Sequence, residues 1–247
     1  MVTTAASSPE LERQLEEHRR ELTGYCYRML GSAFEAEDAV QETMLRAWRG
    51  LDRFEGRAAL KSWLYRIATN VCLDMLKGKE RRIRPLDLGA PGTVDSPLTK
   101  LPEATWLEPI PDGRVLPADG DPAQVAEERE TLRLAFVAAL HHLPPRQRAV
   151  LILREVLRWQ ASEAAELLGM TVASVNSALQ RARATIDDLN LDSSGPVSVD
   201  GEEDQELLSR YVEYFERYDI ESLVALIADD AEFSMPPFPL WLRGTTD

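Results

Sequence analysis

Two groups of side chains in this 247-residue chain are of the kinds that handle nucleic acid. The first runs along one short stretch, where Thr171, Ser174, Asn176, Ser177 and Gln180 are followed by Arg181 and Arg183. Hydroxyls and amides reach base edges and guanidinium groups reach phosphates, so this order suits a helix that enters a duplex groove by its N-terminal end. The second lies between Arg57 and Arg84, where eight cations (Arg57, Lys61, Arg66, Lys77, Lys79, Arg81, Arg82 and Arg84) stand against two acids, Asp74 and Glu80. Phe54, Trp63 and Tyr65 interleave with them, and aromatic faces beside cations are the usual means of holding unstacked bases. One group is thus suited to paired DNA, the other to separated strands.

The elements that must carry these groups are legible as helices. Ala164, Ala165, Leu167 and Leu168 share one face of a segment from Ala161 to Leu168, with Ser162 read as its N-cap and Gly169 as its stop. Thr171 then opens a second helix on which Val172, Val175, Leu179, Ala182 and Ile186 recur at three-to-four-residue spacing. Together they predict a helix-turn-helix, although an ordinary helical hairpin with a solvated outer face has the same period. Upstream, Ala36, Val40, Met44, Ala47, Trp48 and Leu51 form an apolar stripe, with Glu37, Asp38, Gln41, Glu42, Leu45 and Arg46 on the other faces, an acidic surface fit for a basic partner. After a loop, residues 52–59, Leu60, Trp63, Leu64, Ile67, Ala68, Val71 and Met75 point inward, while Arg66, Thr69, Asn70 and Lys77 point away. Trp63 lies on the apolar stripe, so core packing is its first reading and base contact its second.

The run YRMLGSAFEAEDAVQETMLRAWRGLDRF with LKSWLYRIATNVCLDML, followed about seventy residues later by LPPRQRAVLILREVL and SVNSALQRARA, resembles bacterial sigma factors of the extracytoplasmic-function type. The resemblance implies a region-two domain over residues 10–85, a linker over 86–124 and a region-four helix-turn-helix domain over 125–190. It implies that core RNA polymerase is met by Asp38, Gln41, Glu42 and Leu45. The minus-ten element would be melted and a flipped base trapped by Asp52, Arg53, Phe54, Arg57, Lys61, Arg66, Asn70 and Lys77. The minus-thirty-five duplex would be read by Thr171, Ser174, Asn176, Ser177, Gln180, Arg181 and Arg183. Related recognition helices often carry further Lys or Arg where this chain has Asn176 and Ala178. That departure weakens the upstream anchoring the resemblance implies, although Arg181 and Arg183 remain.

Leu86 to Pro122 is rich in Pro, Gly and Asp and reads as a flexible connector, although Trp106, Leu107 and Ile110 within it are apolar enough to pack on something. From Asp204 the chain gives two amphipathic helices (Leu207, Leu208, Tyr211, Val212, Phe215; then Ile220, Leu223, Val224, Leu226, Ile227) and a strand-like AEFSM. Residues 204–247 resemble the opening third of a SnoaL-like α+β domain, which implies either a longer natural chain or a fragment that packs on the rest. The expected fold is mainly α: two small helical domains, a flexible linker and a partial SnoaL-like segment.

The chain carries a net charge of −14, which argues against nucleic acid until it is divided. Residues 1–85 and 131–190 are each +2, residues 86–130 are −7 and residues 191–247 are −11. The acid is concentrated outside both candidate DNA-binding segments. Cys26 and Cys72 sit in apolar helical patterns and read as buried free thiols, and His141 and His142 read as solvated groups at a helix end. Neither pair suggests a metal, no cofactor or catalytic group is implied, and no Gly-rich phosphate loop occurs. No apolar run is long enough to span a bilayer, and MVTTAASSPELERQ is polar, so a reduced cytoplasmic setting is expected, without membrane partners.

The function these readings converge on is a non-enzymatic promoter-specificity subunit, with core RNA polymerase and promoter DNA as partners and an anti-sigma factor or its own C-terminal segment as regulator. The alternative is a helix-turn-helix regulator, or a small-molecule enzyme or sensor centred on the SnoaL-like part. Free in solution, the acidic segments repel DNA. Deleting residues 191–247 therefore raises the low-salt affinity of the free protein for DNA by roughly tenfold, read by fluorescence anisotropy. An unchanged affinity would show that this acid does not act on the DNA-binding segments.

Overall fold

The computed structural model describes residues 8–51, 54, 59–93, 95–116, 121–189, 202–227 and 231–244. Helices dominate, and the chain divides into two compact units: Met1–Arg82 with Leu107–Leu191, and Ile83–Trp106 with Asp192–Asp247.

The first half of the larger unit is built from α1 (Ser8–Glu17), α2 (Arg19–Leu30), α3 (Ala33–Gly50) and α4 (Leu60–Met75). Its core takes Leu22, Tyr25, Cys26, Met29 and Leu30 from α2, Ala36, Ala39, Val40 and Ala47 from α3, and Leu64, Tyr65, Ala68, Val71 and Cys72 from α4. The alanines on α3 and α4 let the backbones approach while the α2 side chains fill the space between. Gly31 ends α2 in the left-handed region at φ 71°, and a Cβ there would lie 2.5 Å from Leu107 Cδ2 and 2.7 Å from His141 Nε2. The turn thus needs glycine twice, for its conformation and for the space. Ser32 caps α3 by accepting from the Glu35 amide and donates its own hydroxyl to Glu108 at 2.5 Å.

On α3 and α4 the faces depart from the expected assignment at Thr69 and Trp48. Thr69, expected to face away from the core, is buried; it donates to the Tyr65 carbonyl and accepts from the Tyr25 hydroxyl at 2.7 Å. A threonine can be buried where a neighbouring hydroxyl and a carbonyl one turn back satisfy its oxygen. Trp48, assigned to the apolar stripe of α3, is 58% exposed, and Thr43 takes the inner position instead, donating to the Ala39 carbonyl.

The second half comprises α5 (Pro122–Glu130), α6 (Leu134–His141), α7 (Pro145–Leu151), α8 (Ala161–Leu168) and α9 (Val172–Asp188). Between α7 and α8 the chain makes a π-helical turn, Ile152–Val156, and Arg158 takes a positive φ of 58°. Gly169 closes α8 at φ 62°, and Thr171 caps α9 by accepting from the Ser174 amide at 3.1 Å. The α8 cap is Gln160 rather than Ser162: the Glu163 carboxylate accepts from the Gln160 amide at 2.7 Å, which places the cap two residues earlier. Val172, predicted to point inward, is exposed at the first position of α9.

The halves of this unit are locked by two buried arginines. Arg148 of α7 donates to the carbonyls of Leu140 and Leu143 and to that of Met29 at the end of α2. Arg28 of α2 donates to the carbonyl and hydroxyl of Thr131. The returning segment is also fixed here: the Glu108 amide donates to Gly31, and Tyr27 donates to the Glu108 carbonyl at 2.8 Å. Leu107 is buried and Ile110 partly so, as their apolar character suggested, and Trp106 is buried as well.

In the smaller unit α10 (Glu202–Glu216) packs with α11 (Ile220–Leu226), and β1 (Glu232–Ser234) pairs antiparallel with β2 (Trp241–Arg243), Phe233 opposite Leu242. Residues of the connector pack here. The Gly92 amide donates to the Trp241 carbonyl, and the Trp241 indole donates to the Gly89 carbonyl at 3.0 Å.

The histidine reading is corrected. His141 is not a solvated cap but is 3% exposed, its Nε2 3.2 Å from an Arg148 nitrogen that can only donate, so the ring is neutral with its proton on Nδ1. Burial, then the charges of Arg148, Arg82 and Arg81, pulls its pKa down to about 2. The unfolded chain binds this proton below about 6.5 and the folded chain does not, so the stabilising contribution is complete above 6.5 and declines as pH falls. Urea unfolding from pH 6.5 to 5 should show a loss approaching about 1.4 kcal/mol per unit that His141→Asn flattens. An identical pH slope in the variant would refute the assignment.

Candidate nucleic-acid interface

Helix α9 carries its expected residues outward. Thr171, Ser174, Asn176, Ser177, Gln180, Arg181 and Arg183 are all exposed, while Val175, Ala178, Leu179 and Ala182 are buried against α7 and α8. The left-handed Gly169 and the Thr171 cap set where α9 begins, and so which side chains lead. Arg183 is partly occupied, donating to Glu155 at 2.6 Å across the surface.

A second feature lies between α3 and α4. A cleft of about 340 Å³ is lined by Arg46, Gly50, Trp63, Ile67 and Asn70. Gly50 is small where the Trp63 ring passes, for a Cβ there would lie 3.2 Å from it. The Phe54 ring packs on Trp63 at a centroid distance of 4.9 Å. Asn70 is exposed at the cleft and offers both donor and acceptor, while Trp63, half-buried, serves packing and lines the cleft at once. Arg46 and Gly50 were not candidates; the signal for them is their spacing of four on α3, opposite Trp63, Ile67 and Asn70 at three to four on α4. Asp52, Arg53 and Arg57 lie outside the described residues.

Tyr65 does not face solvent. Its ring is buried edge-on to Tyr25 at 5.2 Å, with Trp159 on another side at 5.2 Å, and desolvation holds its pKa well above the usual tyrosine value. The cation count also overstates the free charge near α4. Lys61 pairs with Glu21 at 2.5 Å, Lys77 with Asp74 at 2.6 Å, Lys79 and Arg82 with Glu35 at 2.7 and 3.0 Å, and Arg84 with Asp87 at 3.1 Å. Arg81 lies 2.6 Å from His142 Nδ1. Arg66 is held by Glu166 of α8, donating to its carboxylate at 3.2 Å and its carbonyl at 3.4 Å. Arg82 is buried in its pair with Glu35, whereas the exposed pairs contribute little stability, about 0–1 kcal/mol.

On α3, Asp38, Gln41 and Leu45 are exposed and Glu42 is half-buried, paired with Arg46 at 2.6 Å. They belong to a longer stripe. Phe34, Leu45 and Trp48 are 68%, 48% and 58% exposed, and positions 34, 38, 41, 45 and 48 recur at helical spacing. Large exposed apolar groups flanked by carboxylates mark a surface for a protein partner. Cys26 and Cys72 are both free, buried and in mutual contact, and burial pushes the Cys72 thiol well above its usual pKa. Among the described residues no cluster of His, Cys, Asp and Glu is arranged to hold a metal, and no helix is long and apolar enough to cross a membrane.

A helix-turn-helix whose second helix bares its polar side chains has the geometry that can enter a duplex groove. Residues 15–82 match the family described as Sigma-70 region 2, and residues 133–186 match Sigma-70, region 4. The chain is 48% identical over 231 residues to the ECF RNA polymerase sigma factor SigG of Mycobacterium tuberculosis, covering 93% of this chain and 62% of that relative. It is 32% identical over 161 residues to the ECF RNA polymerase sigma factor SigW of Bacillus subtilis, covering 65% of this chain and 78% of the relative. Among solved structures, the extracytoplasmic function sigma factor SigJ of Mycobacterium tuberculosis superposes with a TM-score of 0.51 at 22% identity, covering 95% of this chain and 71% of that one. CnrH in complex with the cytosolic domain of CnrY gives 0.50 at 21%, covering 77% and 92%. The chain belongs to the extracytoplasmic-function family of sigma-70 factors. It spans about six tenths of the length of SigG.

Proposed function

We propose that this protein is a dissociable promoter-specificity subunit of a bacterial RNA polymerase, working in the cytoplasm without cofactor or catalytic group of its own. The observation that carries the reading is the pairing, in one chain, of a region-4 match whose recognition helix bares its polar residues with a region-2 match that holds the α3–α4 cleft. Polymerase supplies the polymerisation chemistry. Segments 10–85 and 125–190 act as the two DNA-binding domains, 86–124 as connector, and 204–247 as a SnoaL-like element, a reading favoured by two helices followed by a strand pair.

Each surface has a task. Asp38, Gln41, Glu42 and Leu45 meet core polymerase, with Phe34 and Trp48 as apolar anchors at the ends of the same stripe. The α3–α4 cleft receives a base extruded from the minus-ten element: Asn70 reads its edge, and Arg66, Lys61, Lys77 and residues 52–57 hold the strand. Opening a step costs a few kcal/mol, and capture of the flipped base offsets part of it. Thr171, Ser174, Asn176, Ser177 and Gln180 read the minus-thirty-five bases, while Arg181 and Arg183 hold phosphates. An anti-sigma factor is a further partner in this reading; CnrH, which shares the fold, is in complex with the cytosolic domain of CnrY.

In vitro transcription with purified core enzyme tests the whole. Cognate-promoter initiation should depend on this chain, and Arg66→Ala with Asn70→Ala should lower it roughly ten- to a hundredfold, with recovery on a pre-melted template. Full activity of the double variant on duplex DNA would remove the base-capture role. Trp48→Ala, exposed and so neutral for folding, should weaken core binding by about tenfold or more, read by competition with another sigma factor. Unaltered affinity would move the polymerase contact off this stripe.

A further inference from the structure

The larger unit holds a second cleft, of about 1180 Å³, to which promoter reading gives no task. Arg28 of α2 lines it from within and is 5% exposed. Its Nε and Nη2 are spent on the carbonyl and hydroxyl of Thr131. Among the described residues nothing accepts from Nη1, and no carboxylate forms an ion pair with the guanidinium. Burial lowers its pKa to about 10, and the charge of Glu128 acts on it only through space, so it is a cation at neutral pH. A buried charge is costly unless acceptors or an opposite charge answer it. Arg148, buried to a similar degree, has all three guanidinium nitrogens engaged by carbonyls. Arg28 keeps one in reserve.

Gly24 points the same way. It lies in the interior of α2, where alanine would favour the helix, yet a Cβ there would come within 3.1 Å of Arg28 Nη1. The missing side chain leaves that nitrogen open to the cleft. Most charges around the mouth cancel: Arg19 pairs with Glu16 at 2.6 Å, Lys61 with Glu21 at 2.5 Å and Arg114 with Glu37. Glu17 turns to Arg13 at 3.3 Å. Arg20, exposed at the mouth, has no such acid among the described residues. The cations left for a ligand are thus one deep and one superficial, beside an apolar wall of Val40, Val115 and Leu157.

We propose that this cleft binds a small phosphate-bearing anion, free phosphate or the terminal phosphate of a nucleotide, with Arg28 Nη1 as its buried donor and Arg20 closing over it. Hydrogen bonds from a guanidinium to a phosphate are among the strong ones, and removal from water strengthens them further. The volume lies just above the range usual for small-molecule sites, roughly 300–1,000 Å³, which leaves room for a nucleoside against the apolar wall.

Titration calorimetry on the full chain tests this with inorganic phosphate, ATP and adenosine as probes. ATP should bind saturably with a Kd of about 10–100 μM, phosphate about tenfold more weakly and adenosine without saturation. Gly24→Ala, which suits the helix but crowds Nη1, should weaken ATP about tenfold while Tm holds or rises, and Arg20→Ala about threefold. These two variants spare the Arg28 bonds to Thr131, on which folding depends. Equal affinity for phosphate and ATP supports the anion site and assigns it to free phosphate. No saturable binding of either anion at about 5 mM overturns the proposal, as does ATP binding that both variants leave unchanged.

Discussion

The larger unit depends on one guanidinium withdrawn from water. Arg148 is 3% exposed, and its donors are spent on carbonyls at two helix ends, Met29 of α2 and Leu140 of α6, with Leu143 in the following turn. Those ends carry carbonyls that no helical amide reaches, together with the negative pole of the helix dipole. A buried cation is costly by itself; here several aligned acceptors offset the lost hydration. Burial still lowers its pKa to about 10, so it stays charged at neutral pH. Much else follows from that placement. His141 must be neutral beside it, Gly31 must lack a side chain beside His141, and the returning strand at Glu108 seats on Gly31.

Around this joint the helices divide labour between their faces. α3 turns Ala36, Ala39, Val40 and Ala47 to the core while keeping Phe34, Leu45 and Trp48 in water. α4 buries Leu64, Tyr65 and Ala68 and leaves Asn70 at the cleft. On α9 the buried Val175, Ala178, Leu179 and Ala182 hold the helix while the polar residues between them remain exposed. Each helix has one face that holds the fold and another available to a partner, and a period of 3.6 residues makes that possible without conflict.

The ion pairs show how charge is redistributed by folding. Eight cations between Arg57 and Arg84 suggest a strong local field, yet Glu21, Glu35, Asp74 and Glu166 reach most of those described, and three of these acids lie far from their partners in sequence. The exposed pairs contribute little to stability, so folding lowers the free charge near α4 at small energetic cost.

Helix positions, the glycine turn before α9, the polar face of that helix and the mainly α fold were legible in the chain because each rests on local spacing, which sequence records directly. Family-specific runs added the two regions. What the sequence did not reveal came from contacts between distant segments. Trp48 outside, Thr69 inside and His141 buried depend on which neighbours a helix meets, and amphipathic period alone leaves the boundary of a face uncertain by one position. The packing of Trp159 on Tyr65 and of Glu166 on Arg66 joins residues about a hundred apart. A charge or a ring carries no mark of its distant partner, so only the assembled unit decides whether Arg66 faces a carboxylate or a strand of DNA.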